Sequence, residues 1–247
     1  MPAVINYQKQ SCPIALLCAM GLLLAACATL PETAYVQNPD LPDYKTRSHR
    51  IEDPIDLYIE PRIPALYTKV TPHSDTEAFQ SFSIVAGPAL ETALLKITRQ
   101  HFSKATPVDI RSDNPTLSYK LLTYKPVVTV APGTLRNHLN VSARLALQVT
   151  VQSASGEDLF STTAIGTSHV SDTIFAPGNK LKGSSELLEV VTRNAIIDAM
   201  YEISKIFGNS SESIRTSVRE SKVVPNTGFE TFDDVVYYLR TLSDEPT

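Results

Sequence analysis

At 247 residues, 43% of them hydrophobic, the chain is long enough for one domain with a real core plus tails. Lys and Arg number 22 against 26 Asp and Glu, a formal net charge of −4. That balance argues against nucleic-acid binding, which needs a basic face.

The chain opens weakly basic, with Lys9 its only charge before an uncharged run over 14–26 that ends Leu24-Ala25-Ala26-Cys27. A membrane-spanning helix needs roughly 20 apolar residues to cross ~30 Å at ~1.5 Å per residue. Thirteen residues are short for a span and suit the apolar core of a signal peptide. Residues 1–26 therefore read as an export signal, with cleavage after Ala26. Leu24-Ala25-Ala26-Cys27 resembles the lipobox of bacterial lipoproteins, in which small residues precede a cysteine. The resemblance implies thioether attachment of diacylglycerol to Cys27 and acylation of the new amino terminus. Each buried methylene contributes ~0.8 kcal/mol, and a single acyl chain binds only marginally, so the implied three chains make a lasting anchor. In such proteins an aspartate after the cysteine favours the inner membrane; Ala28 stands here, which points to the outer membrane, facing the periplasm. Competing readings are an ordinary signal peptide with an incidental Cys27 and a retained anchor.

Cleavage would remove Lys9 and no acid, moving the net charge to −5, and would also remove Cys12 and Cys18. With Cys27 lipidated, the mature domain keeps neither a free thiol nor a disulfide. Thiolate catalysis and a cysteine metal site are then excluded, and the core alone must stabilise the fold.

Residues 27–54 read as the lipidated terminus and an extended tether, because Pro31, Pro39, Pro42 and Pro54 interrupt a polar stretch without periodicity. The competing reading packs Tyr35, Val36, Leu41 and Tyr44 along the domain. A strand is predicted over 55–63, with Pro61 and Pro64 marking an edge or an end. A short strand over 81–85 leads into a helix over 88–102. There Pro88 suits the first turn, and Leu90, Ala93, Leu94, Ile97 and His101 recur at helical spacing. Residues 117–130 read as strand, with Pro126 a bulge or edge, and Pro132-Gly133 breaks the chain.

The sharpest pattern lies over 139–151. Leu139, Val141, Ala143, Leu145, Leu147, Val149 and Val151 alternate with Asn140, Ser142, Arg144, Gln148 and Thr150, and Ala146 is the exception. Period two over such a length predicts a long strand with one buried and one wet face. A turn at 153–157, where Gly156 can take positive φ, returns the chain as an antiparallel strand over 159–170. A second helix starts at Ser184 or Ser185 and carries Leu188, Val191, Ala195, Ala199, Ile203 and Ile206; Gly208 reads as its C-terminal cap. Residues 209–247 read as a polar tail with a last short helix over 232–242. The predicted domain is thus 55–208: an α+β two-layer sandwich, an antiparallel sheet with a long hairpin and two amphipathic helices on one face.

No catalytic residue, cofactor or metal is expected. The motifs G-x-S-x-G, G-x-x-x-x-G-K-[ST], G-x-G-x-x-G and H-E-x-x-H are absent, and His49, His73, His101, His138 and His169 are too scattered to share a metal. Asp233-Asp234 reads as first-turn acids complementing a helix dipole, with Thr231 as cap. Ser184-Ser185 reads as a cap rather than a nucleophile, and Tyr237-Tyr238 as packing. The Ser- and Thr-rich strand over 160–169 either lies inside the sheet or offers an edge to a partner strand.

With these elements in place, the stretch 57–207 resembles YajG-type lipoproteins, auxiliary lipoproteins of ABC-type lipid transport systems, and the lipopolysaccharide-assembly lipoprotein. The carriers are Gly87-Pro-Ala-Leu-Glu-Thr-Ala-Leu-Leu95, the 139–151 strand and the 185–207 helix. The resemblance implies a membrane-anchored, non-enzymatic accessory or assembly factor of an envelope transport or secretion complex. Its partners would be the membrane through the lipid anchor and an envelope protein, with no nucleic acid. A structural envelope lipoprotein and a periplasmic hydrolase are the alternatives. Cys27 is the one functional residue it carries over.

Overall fold

Alternation of apolar and polar residues in the middle of the chain produces three long strands, on which everything else is built. The computed structural model describes residues 32–44, 50–75, 78–110, 114–131, 133, 136–174 and 184–221. In chain order the elements are β1 (Thr33–Tyr35), β2 (Ile55–Ile59), β3 (Tyr67–Val70), β4 (Phe82–Val85), α1 (Gly87–His101), β5 (Ala105–Pro107), β6 (Thr116–Ala131), β7 (Asn137–Gln152), β8 (Asp158–Ile174) and α2 (Ser184–Ser221). A five-stranded sheet runs β5-β2-β6-β7-β8, and a three-stranded sheet runs β1-β4-β3.

The fold is α+β. All seven odd-numbered positions of β7 from Leu139 to Val151 are buried, as their period requires. Tyr119 and Tyr124 of β6 and Gly166 of β8 share that face, and both helices cover it. Tyr119 bonds Thr98 of α1, Tyr124 bonds Thr192 of α2, and Gly166 lies against Ala195 of α2. The larger sheet is mixed rather than wholly antiparallel. β6, β7 and β8 pair antiparallel, whereas β2 joins both β5 and β6 in parallel. The chain leaves β2 through the smaller sheet and α1 before returning, and a connection that long permits parallel pairing.

β6 keeps its apolar side inward by breaking its own period. The register with β7 shifts between Leu121 and Thr123, leaving Leu122 as an extra, exposed residue. Before it the inward residues are Leu117, Tyr119 and Leu121; after it they are Tyr124, Pro126, Val128 and Val130. A bulge that moves the pattern by one position is what this sequence needs. It sits at Leu122 rather than at the expected Pro126. Pro126 instead pairs regularly with Ala143. Val130 donates its amide away from β7, to the His73 carbonyl. Pro126 has the same parity, so its missing N–H faces that outer side, where the ladder loses nothing.

Two domain boundaries differ from expectation. Residues 32–44 are not a free tether: β1 pairs in parallel with β4, and Ala34, Val36 and Leu41 are buried. Lys96 Nζ donates to the Leu41 carbonyl at 2.9 Å, and Gln100 Nε2 to that of Pro42 at 3.2 Å. Farther along, Ile51 is also buried. Prolines 39 and 42 are compatible with this because the segment is held mainly through carbonyls, which proline retains. The competing packed reading thus describes the 32–44 stretch. Nor does α2 end at Gly208. Its buried stripe continues from Ile203 and Phe207 through Ser211, Ile214 and Val218, and Arg219 Nε reaches Asp53 Oδ2 at 3.2 Å. Tertiary contacts beyond Gly208 outweigh its small helix penalty of about 1 kcal/mol. The helix expected over 232–242 lies outside the described residues.

Candidate functional site

Cys27 and Ala26 lie outside the described residues, as do His49, Thr231, Asp233, Asp234, Tyr237 and Tyr238. The chain from Glu32 onward is placed, however. The amide of Ser83 donates to the Glu32 carbonyl at 2.8 Å, and Ser185 Oγ at the start of α2 donates to the Glu32 carboxylate. Ser185 Oγ thus bonds a side chain outside α2 rather than an amide of its first turn, and the fully buried Ser184 hydroxyl has no hydrogen-bond partner among the described residues.

Three polar pairs, two buried and one half-buried, stitch the helices to their neighbours. Thr98 Oγ1 and Tyr119 Oη lie 2.8 Å apart, and Tyr124 Oη and Thr192 Oγ1 lie 2.9 Å apart. Burial pushes both phenols well above their ordinary range, so they stay neutral hydrogen-bonding groups. The third pair is His101 Nε2 with Ser204 Oγ at 3.0 Å. Burial holds the His101 imidazole below its ordinary value. Its ring packs on Phe207 at a centroid distance of 5.4 Å. A serine beside a neutral histidine has the chemistry of a nucleophile and its base. Among the described residues no carboxylate orients this histidine. His73, His138 and His169 are exposed and apart, and among the described residues no group of His, Cys, Asp and Glu could hold a metal.

Two concave surfaces stand out. The first is a groove between the 42–44 segment and the exposed side of α2, with a volume of about 460 Å³. It is lined by Pro42, Tyr44, Asn194, Ile197, Asp198 and Tyr201, and the rings of Tyr44 and Tyr201 meet at 6.1 Å. Desolvation, and then the neighbouring Tyr201 and Asp198, raise the Tyr44 hydroxyl above its ordinary range. Asp198 Oδ2 also accepts the Thr167 amide at 2.8 Å.

The second is a concavity of about 570 Å³ on the outer face of the long strands, away from the helices. Lys125, Ser142, Arg144, Thr167 and His169 contribute to its lining. Register creates it: Lys125 of β6 stands opposite Arg144 of β7, Arg144 opposite Thr167 of β8, and Ser142 opposite His169. Reading each strand alone does not reveal this cluster. Folding β6 back on β7 around the Pro132-Gly133 break was the signal available in the sequence.

β8 is the edge of the larger sheet rather than an interior strand. Its Thr167 amide is taken by Asp198 and its Thr173 amide by Asp172. Local carboxylates thus cover part of an edge that would otherwise invite another strand.

No protein-family model and no curated protein matches the chain. Among solved structures, it is similar to the protein XCC0632 from Xanthomonas campestris, of family DUF330, at 12% identity and a TM-score of 0.43, over 76% of this chain and 98% of that one. A minor lipoprotein from Acinetobacter baumannii is similar at 13% identity and a TM-score of 0.36, over 64% and 94% of the two chains. A neuraminyllactose-binding hemagglutinin homolog from Helicobacter pylori is similar at 9% identity and a TM-score of 0.34, over 73% and 97%.

Proposed function

We propose that this chain is a lipid-anchored lipoprotein of the outer membrane, facing the periplasm, that serves as a non-enzymatic accessory or assembly factor of an envelope transport or secretion complex. One observation carries the reading: Leu24-Ala25-Ala26-Cys27 closes an uncharged run too short to span a bilayer. The described domain is compatible with a lipid tether, since none of its helices is long and apolar enough to cross a membrane. Because Glu32 is already bonded into the fold, acylated Cys27 would hold the start of α2 within roughly 18 Å of the lipid, the reach of five extended residues. Such a domain works beside the membrane rather than at the end of a long leash.

Intact mass of the native protein tests the anchor. A first residue Cys27 carrying diacylglycerol and an acyl group is expected, and an unmodified amino terminus overturns it. Cys27→Ala should release the protein from membranes. Cross-linking mass spectrometry on intact cells tests the role, with a reproducible envelope partner expected and its absence counting against it. The His101–Ser204 pair is the observation that favours the hydrolase alternative. An esterase activity lost in Ser204→Ala would move the conclusion there.

A further inference from the structure

The middle of the outer face of the three long strands carries positive charge with no acidic side chain among the outward positions around it. Lys125 of β6 and Arg144 of β7 stand there, with Lys120 farther along β6; the acidic outward position on β6, β7 and β8 is Asp158, at the start of β8, opposite Gln152 and bonded to it. Among the described residues none of these three cations forms an ion pair, although the whole chain is net acidic. Lys125 and Arg144 stand directly opposite each other, and like charges in such cross-strand pairs repel. Around them the concavity of about 570 Å³ adds the hydroxyls of Ser142 and Thr167 and the ring of His169.

We propose that this concavity binds a phosphate group, either free or on a lipid headgroup. A phosphate offers several oxygens and more than one negative charge to a single small site. The Arg144 guanidinium supplies a planar fork of donors and the Lys125 ammonium a point charge, a pairing suited to phosphate oxygens. The bound anion lies between two cations that otherwise repel, so binding relieves a cost already built into the sheet. Ser142 and Thr167 donate to oxygens left over. The inference concerns the sheet face alone and stands whether or not Cys27 is acylated.

The test uses the full chain in neutral detergent, titrated calorimetrically with inorganic phosphate in one arm and with short-chain phosphatidylglycerol in the other. Phosphatidylcholine controls for the acyl chains. Saturable one-to-one binding is expected in at least one anionic arm; phosphate alone assigns a free anion, and phosphatidylglycerol alone assigns the headgroup. Lys125→Glu replaces the repulsive pair by an attractive one, so its thermal midpoint should hold or rise while affinity falls at least about tenfold. Lys125→Gln, which only removes the charge, should weaken binding in the same direction. Absence of saturable binding in both anionic arms up to about ten millimolar overturns the proposal, as does binding that survives Lys125→Glu.

Discussion

Gly166 of β8 lies directly beneath the carbonyl oxygen of Ala195 in α2. A β-carbon at Gly166 would stand 2.0 Å from that oxygen and 2.8 Å from the Ala199 Cβ. Helix and strand approach this closely because position 166 has no side chain and positions 195 and 199 have only a methyl. Gly166→Ala is expected to push α2 off the sheet and cost about 1–3 kcal/mol. Urea unfolding should show the midpoint fall; an unchanged midpoint would mean that the contact yields freely.

Gly208 presents the opposite case. A β-carbon there meets nothing within 4 Å, and the helix continues through it to Ser221. Gly208→Ala should therefore stabilise the protein by about 0.5–1 kcal/mol, because alanine has less backbone freedom to lose on folding. A lowered melting temperature would contradict the continuous helix.

Deleting Leu122 tests the bulge. Without it Leu121, Thr123 and Tyr124 alternate regularly against Leu147, Ala146 and Leu145, and every residue from Tyr124 to Val130 keeps its partner and its face. The shortened chain should therefore still fold cooperatively, and Leu122→Ala, at an exposed position, should change stability by less than about 0.5 kcal/mol. Deleting Leu122 and Thr123 together instead turns the residues from Tyr124 to Val130 over, breaks the Tyr124–Thr192 bond, takes Val128 and Val130 out of the core and should abolish cooperative folding. Circular dichroism melts separate the two outcomes.

Ala34 distinguishes a free tether from an integral strand. It is buried and pairs with Ile84 of β4. Ala34→Asp puts an unpaired carboxylate into that contact and is expected to cost about 2 kcal/mol or more. Chemical denaturation measures it, and an unaffected variant would show that β1 contributes nothing to the fold.

His101 makes stability depend on acid. Burial keeps its folded pKa below the ordinary 6.5. As pH falls through that ordinary value, the unfolded chain takes up a proton that the folded ring still refuses. The unfolded state then binds more protons, so stability declines below about pH 6.5 and levels off once the folded ring also titrates. Above that range the ring is neutral in both states and adds no slope. His101→Gln should flatten the melting temperature between about pH 7 and 5; an unchanged slope would assign the acid sensitivity to other groups.

Local patterns were enough to place the long strands, the inward set from Leu139 to Val151, the turn at Gly156, whose φ is 87°, and the start of α1. Each is set by residues within a few positions of one another, and period, turn chemistry and proline placement are properties of short stretches. The hydroxyl pairs, the Gly166–Ala195 approach and the charge cluster at Lys125 and Arg144 join residues far apart in sequence. So do the parallel placement of β2, the entry of β1 beside β4, and the run of α2 past Gly208. Those depend on register and on which surfaces are covered, and a strand read alone has neither a neighbour nor a buried side until the chain has folded around it.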